Sequence, residues 1–452
     1  MTCKRIASGE SWTEFSKNMG SEQGSDAQMP VFQVIMFGWD KVCGETERGF
    51  RLLNVIFWLI GVAAISYFLK LRGKPTWGVI MAAGTSSFLW YYMDEARPYA
   101  LQFAGASCLL VGYWIIIFEQ KVPRFCSWGF LLLGTLMCAG SSLLAAPFAG
   151  LIFLCVTYDQ WKKRVWYQRS EMVWFMGWCL LLASLTLYYV WTLFEGKGAS
   201  SVNKTSALTL GFSVFEQLGF MPYGPGRQAL RSEGVSSLAP WVFALAGWAV
   251  AMGAALLVGG DRVFRGGLFK PAIVRALLPV VAMVVILVVA GYFGGFRVIG
   301  RHFMPVYPIL LIITGLAYVK LWSGNILQRG ITFIIPMIAL IGCLTQRYAE
   351  RHHKDDYRGA VGHVNFVSKD GSPVWWAAAK PSYAFEDSVE LHDTRNINNE
   401  SLHKLPIPTV IVLSKTDLYD ARGALRKWIV EHDYQITKEL PAFKFYQRRV
   451  VE

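Results

Sequence analysis

Charge is what this sequence lacks most. Asp, Glu, Lys and Arg make up 17% of its 452 residues, against about 25% in soluble globular chains. With 54% apolar residues beside it, that shortfall excludes intrinsic disorder and a simple soluble enzyme. Cysteine is sparse and poorly placed for bridging. The eight thiols, at 3, 43, 108, 126, 138, 155, 179 and 343, lie mostly in apolar runs, and none falls in the last hundred residues. No CxxC or Cys/His ligand spacing exists, so neither a disulfide framework nor a zinc site is indicated, and the cysteines read as small buried hydrophobes. All seven histidines lie between 302 and 432, again without ligand spacing. The chain also lacks a GxxxxGK[ST] phosphate loop, which removes GTP binding despite the run Ser414-Lys415-Thr416-Asp417. An internal repeat, common in transporters, is missing too.

What is abundant points to lipid. Aromatic residues reach 15%, with 18 Trp and 29 Phe, alongside 42 Gly, and the mean hydropathy is +0.35. Ten apolar runs read as membrane helices, at 52–69, 76–92, 98–118, 126–141, 143–158, 173–193, 239–258, 272–292, 302–321 and 330–345. Several are shorter than the roughly 20 residues that span a bilayer, and 126–158 reads as a helix pair broken at Ala139-Gly140-Ser141. The last hundred residues change character. Thr409–Leu413 reads as a buried strand, Asp417 as the cap of a helix over 418–432, and short strands follow. The expected architecture is a polytopic α-helical membrane protein with a small C-terminal α/β domain. It divides into a first-loop segment 1–51, a membrane domain 52–345 and an extracytoplasmic domain 346–452.

The formal charge of +13 sits in the membrane part, because residues 346–452 hold 16 Lys/Arg against 15 Asp/Glu. A basic soluble face for nucleic acid is therefore not expected. One alternate set of loops carries Lys70, Arg72, Lys74, Lys121, Arg124, Lys162, Lys163, Arg164, Arg169, Arg262, Arg265, Lys270, Lys320 and Arg329. The positive-inside rule puts these in the cytoplasm. Both termini, the 93–97 turn, the 194–238 loop and the 293–301 turn then face outward. The first 50 residues carry Lys4, Arg5 and Lys17 and show no signal-peptide pattern, so either the orientation is the reverse or, as the favoured expectation, a membrane helix lies upstream of Met1.

The chemistry concentrates in Met93-Asp94-Glu95-Ala96-Arg97-Pro98-Tyr99-Ala100-Leu101. Two carboxylates and a guanidinium occupy a turn between apolar helices, where charge is costly and usually functional; a solvated turn with Pro98 starting the next helix is the blander alternative. Arg97, Arg297 and Arg301 stand at outward helix ends, each able to grip a phosphate bidentately, with interfacial snorkelling the alternative for the last two. Gly291, Gly294 and Gly295 would let backbone approach a ligand. The 194–238 loop offers Phe212, Phe215, Phe220 and Glu216, as a cover over the site or as ordinary surface.

The segment Glu95-Ala96-Arg97-Pro98-Tyr99-Ala100-Leu101 resembles the E-x-R-P-Y-x-L turn of integral-membrane (C-type fold) glycosyltransferases that use polyprenyl-phosphate sugars. That superfamily includes the protein O-mannosyltransferases and the lipid A aminoarabinose transferases. Asp26-Ala27-Gln28-Met29-Pro30-Val31-Phe32 with Gly44-Glu45-Thr46-Glu47-Arg48-Gly49-Phe50-Arg51-Leu52 is similar to the family's first outer loop, D-x-H-P-P-L-Y-Y … G-x-S-E-x-x-x-R-L. It departs at Gln28 and Met29, where the family has His and Pro. Arg301-His302-Phe303-Met304-Pro305-Val306-Tyr307-Pro308 resembles the entry to a late helix, and Asp355-Asp356-Tyr357-Arg358-Gly359-Ala360 the start of the outer C-terminal segment.

The resemblance implies a bacterial inner-membrane, multi-pass glycosyltransferase with an extracytoplasmic C-terminus. Its donor would be a polyprenyl-phosphate sugar and its acceptor an unknown glycan, lipid or protein. A carboxylate would take the acceptor proton, with Asp26, Asp94 and Glu95 the candidates. Cations, or a divalent metal, would stabilise the departing phosphate, with Arg97, Tyr99, Arg297, Arg301 and His302 around it. The family carries an Asp-Glu pair after a first membrane helix. No such pair precedes Ser11-Trp12-Thr13-Glu14, so the pair is expected upstream of Met1. Two rival functions remain: a lipid-binding relative without catalysis, and a transporter or flippase.

Overall fold

The protein is known from a computed structural model that describes residues 11–21, 27–44, 46–119, 122–163, 169–196, 204–265, 268–269, 272–368, 371–379, 381, 385–386 and 388–448. The chain forms two units. One comprises Thr2–Gly224 with Trp241–Gln346, the other Pro225–Pro240 with Arg347–Glu452.

The first unit is helical. Among the described residues, seven helices are long and apolar enough to cross a membrane: Arg48–Leu71, Tyr99–Phe118, Glu171–Phe194, Gly234–Phe264, Ile273–Phe293, Gly300–Trp322 and Ile326–Tyr348. The protein is a multi-pass membrane protein. The other three apolar runs are also helical but shorter or more polar. The 76–92 run breaks into Trp77–Gly84 and Ser87–Met93. The break arises because the Ser86 hydroxyl caps the second helix, accepting from Leu89 N at 3.1 Å, and also bonds the Tyr307 hydroxyl at 2.6 Å. Arg124–Ala139 ends at Gly140, where the expected break falls, and Ala146–Lys163 follows, ending in the polar run Asp159-Gln160-Trp161-Lys162-Lys163.

Tyr99–Phe118 is the centre of this unit, with 89% of its apolar window buried, against 17% for Glu171–Phe194. A helix apolar on every side belongs in such a core. Small residues let its neighbour approach closely. A Cβ at Gly105 would overlap the Cys138 backbone, and one at Gly134 would lie 2.6 Å from Leu109 N, a small-residue contact typical of membrane helix pairs. The sequence reading placed no element within residues 1–51. Among the described residues there, the structure has the helices Trp12–Ser21 and Pro30–Cys43.

At one end of the bundle the charges pair. Arg72 Nη1 lies 2.9 Å from Glu119 Oε1, Arg275 pairs with the buried Asp159, and Arg124 Nε lies 3.9 Å from Glu171 Oε1. Helices 47–71 and 99–118 run from the turn at 93–97 to the Arg72–Glu119 pair, so these pairs and that turn mark opposite ends.

The second unit holds a five-stranded mixed sheet. The strands are β1 (Val374–Ala377), β2 (Leu391–Asp393), β3 (Val410–Leu413), β4 (Tyr434–Leu440) and β5 (Phe443–Arg448), in the order β2-β1-β3-β5-β4. The first three are parallel, and β5 runs antiparallel to β3 and β4. Alternation splits β1 between two cores: Val374 and Trp376 meet Val364, while Trp375 and Ala377 meet Trp428. The strand read at 409–413 is present as Val410–Leu413. The helix read over 418–432 is instead two pieces, Thr416–Tyr419 and Ala424–Glu431, because Gly423 turns left-handed at φ 72°. Asp417 does not cap it. Asp420 takes that role, accepting from Leu425 N at 3.1 Å and Arg426 N at 3.2 Å, while Asp417 pairs with Arg231 at 3.2 Å. Much of the long 194–238 loop is therefore helical, in Ala207–Gln217, Met221–Tyr223, Arg227–Ser232 and Gly234–Trp241.

Candidate active site

The 93–97 turn is built by its neighbours. Asp94 ends the Ser87–Met93 helix, its N–H bonded to Trp90 O at 3.2 Å, and Arg97 N donates to Glu95 O at 2.7 Å. From the Glu47–Leu71 helix, Arg51 Nη1 approaches Asp94 Oδ1 to 3.5 Å. One turn further on, the buried Asn54 amide donates to Met93 O at 3.2 Å and to Glu95 O. These are i, i+3 neighbours on one helix face. Arg51 thus reaches a carboxylate while Asn54 ties down the backbone beside it. Asp94, Glu95 and Arg97 are all half-buried.

The later arginine-rich turn comes to the same place. Arg301 lies in the Gly300–Val306 helix, and its guanidinium carbon sits 5.5 Å from the centre of the Tyr99 ring. Tyr99 is buried and packs edge-on against Tyr92. Among the described residues Arg301 makes no ion pair. Its charge faces an aromatic quadrupole rather than a carboxylate. His302 turns back on its own chain, where its Nδ1 accepts from Ile299 N at 3.2 Å, leaving Nε2 to carry the proton in the neutral ring.

Two residues of the 194–238 loop support this turn. Glu216 is 3% exposed, and a Cβ at Gly300 would collide with its carboxylate. Gln217 Nε2 donates to Gly300 O at 3.3 Å. Only a glycine accommodates the carboxylate at that distance. Thr205 holds the strand-like segment before it: its hydroxyl donates to Phe296 O at 2.7 Å and accepts from Val298 N at 2.9 Å. Arg297 is half-buried between these two anchored residues. The space beside Gly291 is filled by the chain itself, since a Cβ there would press on Val298 and Thr205. That glycine serves packing rather than ligand approach.

The sequence-predicted residues therefore separate clearly. Tyr99 and Arg301 touch, and Asp94, Glu95 and Arg97 share the adjoining turn. Arg297 and His302 lie on the segment that carries Arg301. Asp26 lies outside the described residues, while Gln28 and Met29 beside it are buried. Among the described residues no three His, Cys, Asp or Glu side chains gather to hold a metal ion. Sequence reasoning missed Asn54 and Thr205, because an amide or hydroxyl in an apolar run carries no motif. Asn54 at three residues after Arg51 was the one available signal.

No protein-family model matches the chain, and no curated protein does. Solved structures do. ArnT from Cupriavidus metallidurans in the apo state is similar over 98% of this chain and 91% of that one, at 11% identity and a TM-score of 0.53. ArnT from the same organism bound to undecaprenyl phosphate is similar over 94% and 88%, at 12% identity and 0.48. The arabinofuranosyltransferase AftD from mycobacteria is similar over 92% of this chain and 35% of that one, at 14% and 0.40. The first of these shows a shared fold that spans both units.

Proposed function

We propose that this protein is a membrane glycosyltransferase that moves a sugar from a polyprenyl-phosphate donor to an acceptor on the outer face of the membrane. The observation that carries the reading is Arg301: a guanidinium beside Tyr99 and the 93–97 turn, with no carboxylate partner among the described residues. A guanidinium without an ion pair among the described residues is the kind of group that stabilises a departing phosphate. The shared fold and the four family-like motifs support the same reading.

In the reaction, an acceptor hydroxyl attacks the anomeric carbon while the bond from that carbon to the phosphate oxygen breaks. The electron pair leaves with the polyprenyl phosphate, and the hydroxyl proton passes to a carboxylate. A single displacement inverts the anomeric centre. Negative charge grows on the departing oxygen, and Arg301 is the group to stabilise it, with Arg297 on the same segment and Arg97 just before the Tyr99 that Arg301 touches. Asp94 and Glu95 are the described candidates for the base, and Asp26 the third. The Arg51 guanidinium, 3.5 Å from Asp94 Oδ1, orients that carboxylate. Asn54 fixes the backbone on either side of it.

The test is release of polyprenyl phosphate from a labelled polyprenyl-phosphate sugar by the purified chain in vesicles, with and without membrane extract as acceptor. Acceptor-dependent release of the free carrier is the expected result. Transport of intact donor across the vesicle wall without release would assign the fold here to a flippase instead.

A further inference from the structure

A second candidate site lies at the Trp12–Ser21 helix. The Trp12–Ser21 helix is amphipathic: Trp12, Phe15 and Met19 share one face at i, i+3 and i+7 spacing, with Glu14, Lys17, Asn18 and Ser21 opposite. Its apolar face meets the Pro30–Cys43 helix through an aromatic cluster. Phe15 and Phe37 lie 4.7 Å apart, Trp12 and Phe37 5.8 Å, and Lys41 sits 5.2 Å from the Phe37 ring. The third wall is the end of the Arg169–Phe194 helix, where the Tyr188 hydroxyl donates to Ala27 O at 2.7 Å. Between these walls runs an apolar groove of about 170 Å³, lined by Trp12, Phe15, Met19, Val34, Tyr188 and Trp191 among others.

We propose that this groove binds one acyl chain of a bilayer phospholipid, with the Trp12–Ser21 helix lying in the membrane interface as its cover. Three observations select that occupant. The groove opens from a helix whose apolar window is only 17% buried within the protein, so its wall continues a lipid-facing surface. Tyr188 and Trp191 line it from the last turns of that span and Trp12 from the short helix, and such aromatic side chains mark the membrane–water boundary. An amphipathic helix placed there buries its apolar face at the headgroup level. A groove of about 170 Å³ is also too small for a helix about 10–12 Å across, which excludes a protein partner of that form. None of the described candidate active-site residues lines it, which favours a bulk lipid over the sugar donor as occupant.

The experiment uses the full chain in nanodiscs of phosphatidylethanolamine and phosphatidylglycerol, doped with a phosphatidylglycerol that carries a diazirine on one acyl chain. Labelled peptides are mapped by mass spectrometry. Labelling of 12–34 and 188–192 is expected to exceed, several-fold, that of Ile273–Phe293, whose window is only 28% buried. Val34→Trp fills the groove. Excluding two methylenes at about 0.8 kcal/mol each corresponds to roughly a tenfold loss of labelling there. Ser16→Leu, from the opposite wall, gives a second filled groove if the first variant does not fold. Excess unlabelled phosphatidylglycerol is expected to compete. Uniform labelling across the lipid-exposed spans would overturn the proposal. So would competition by undecaprenyl phosphate but not by phosphatidylglycerol, or a rise in labelling once residues 1–10 are removed. No outcome depends on glycosyl transfer, so this proposal fails or stands separately from the enzymatic one.

Discussion

The two ends of the helical unit differ in how they hold arginine. At one end Arg72, Arg124 and Arg275 each meet a carboxylate, and the Arg275 partner, Asp159, is buried. At the other end Arg51 also meets a carboxylate, Asp94, but Arg301 rests on the Tyr99 ring with no ion pair among the described residues. The first arrangement is self-neutralising. Cation and anion share the cost of leaving water, and nothing remains to attract a ligand. The second leaves charge uncompensated, which a fold tolerates where an anion arrives from outside. The same residue type thus reads as structural at one end and as a candidate binding group at the other, and only its partners tell the two apart.

The sharpest way to break that contrast is Arg301→Ala. If Arg301 stabilises the departing phosphate, turnover with a polyprenyl-phosphate sugar is expected to fall about 10²–10³-fold. Folded yield should barely change, because no carboxylate loses its partner. Arg301→Lys should restore little, since an ammonium lacks the planar fork. Unchanged turnover in well-folded Arg301→Ala would erase the distinction between the two ends.

Arg275→Leu probes the paired end. It strips the cation from a carboxylate that is 2% exposed. Breaking a buried pair typically costs about 3–5 kcal/mol, with the lower figure expected because Arg275 itself is partly exposed. Thermal unfolding in detergent should report a large loss of stability, with turnover per folded molecule retained.

Gly300→Ala tests how the unpaired end is held in place. Its Cβ would meet the Glu216 carboxylate, and relief of such overpacking usually costs about 1–3 kcal/mol. Because the same short helix carries Arg301, a drop in kcat larger than the stability loss explains is expected. A purely structural role would lower yield alone.

The smallest effect comes from an exposed pair in the other unit, which sets the lower end of the scale. Burial alone would raise the Asp393 carboxyl, but the hydrogen bonds and charge of Arg395 outweigh it and hold it below its usual value. A depressed carboxyl stabilises above its unfolded value of about 3.9 and loses that contribution as pH falls through the folded value. Both side chains are more than a third exposed, so solvent screening limits the pair to a few tenths of a kcal/mol. Asp393→Asn should lower the unfolding midpoint slightly at pH 7 and not at all at pH 2.

Much of the architecture was legible in advance because burial in lipid imposes composition. Long apolar stretches such as 99–118 and 273–293 have no other stable fate, and Gly140 and Pro98 mark helix boundaries by their own backbone chemistry. Less legible were the two amphipathic helices before residue 44. Their apolar faces are short and interrupted, although Trp12, Phe15 and Met19 already had the helical spacing. The cap at Asp420 was hidden because Asp417 is an equally good capping residue by type. What decided between them was the left-handed turn at Gly423.

For the candidate site the division is similar. The sequence by itself determined that a membrane helix bundle would carry Asp94, Glu95, Arg97 and Arg301 at helix ends, because apolar runs leave charged residues nowhere else to lie. Tertiary structure alone decided that Tyr99 and Arg301, about 200 residues apart, would touch. It also brought Arg51 to Asp94 and set Glu216 behind Gly300. Local propensity and hydropathy act over a few residues. Which helix ends share one cluster depends on packing between distant segments, set here by close contacts such as Gly105 against Cys138 that no single stretch of sequence encodes.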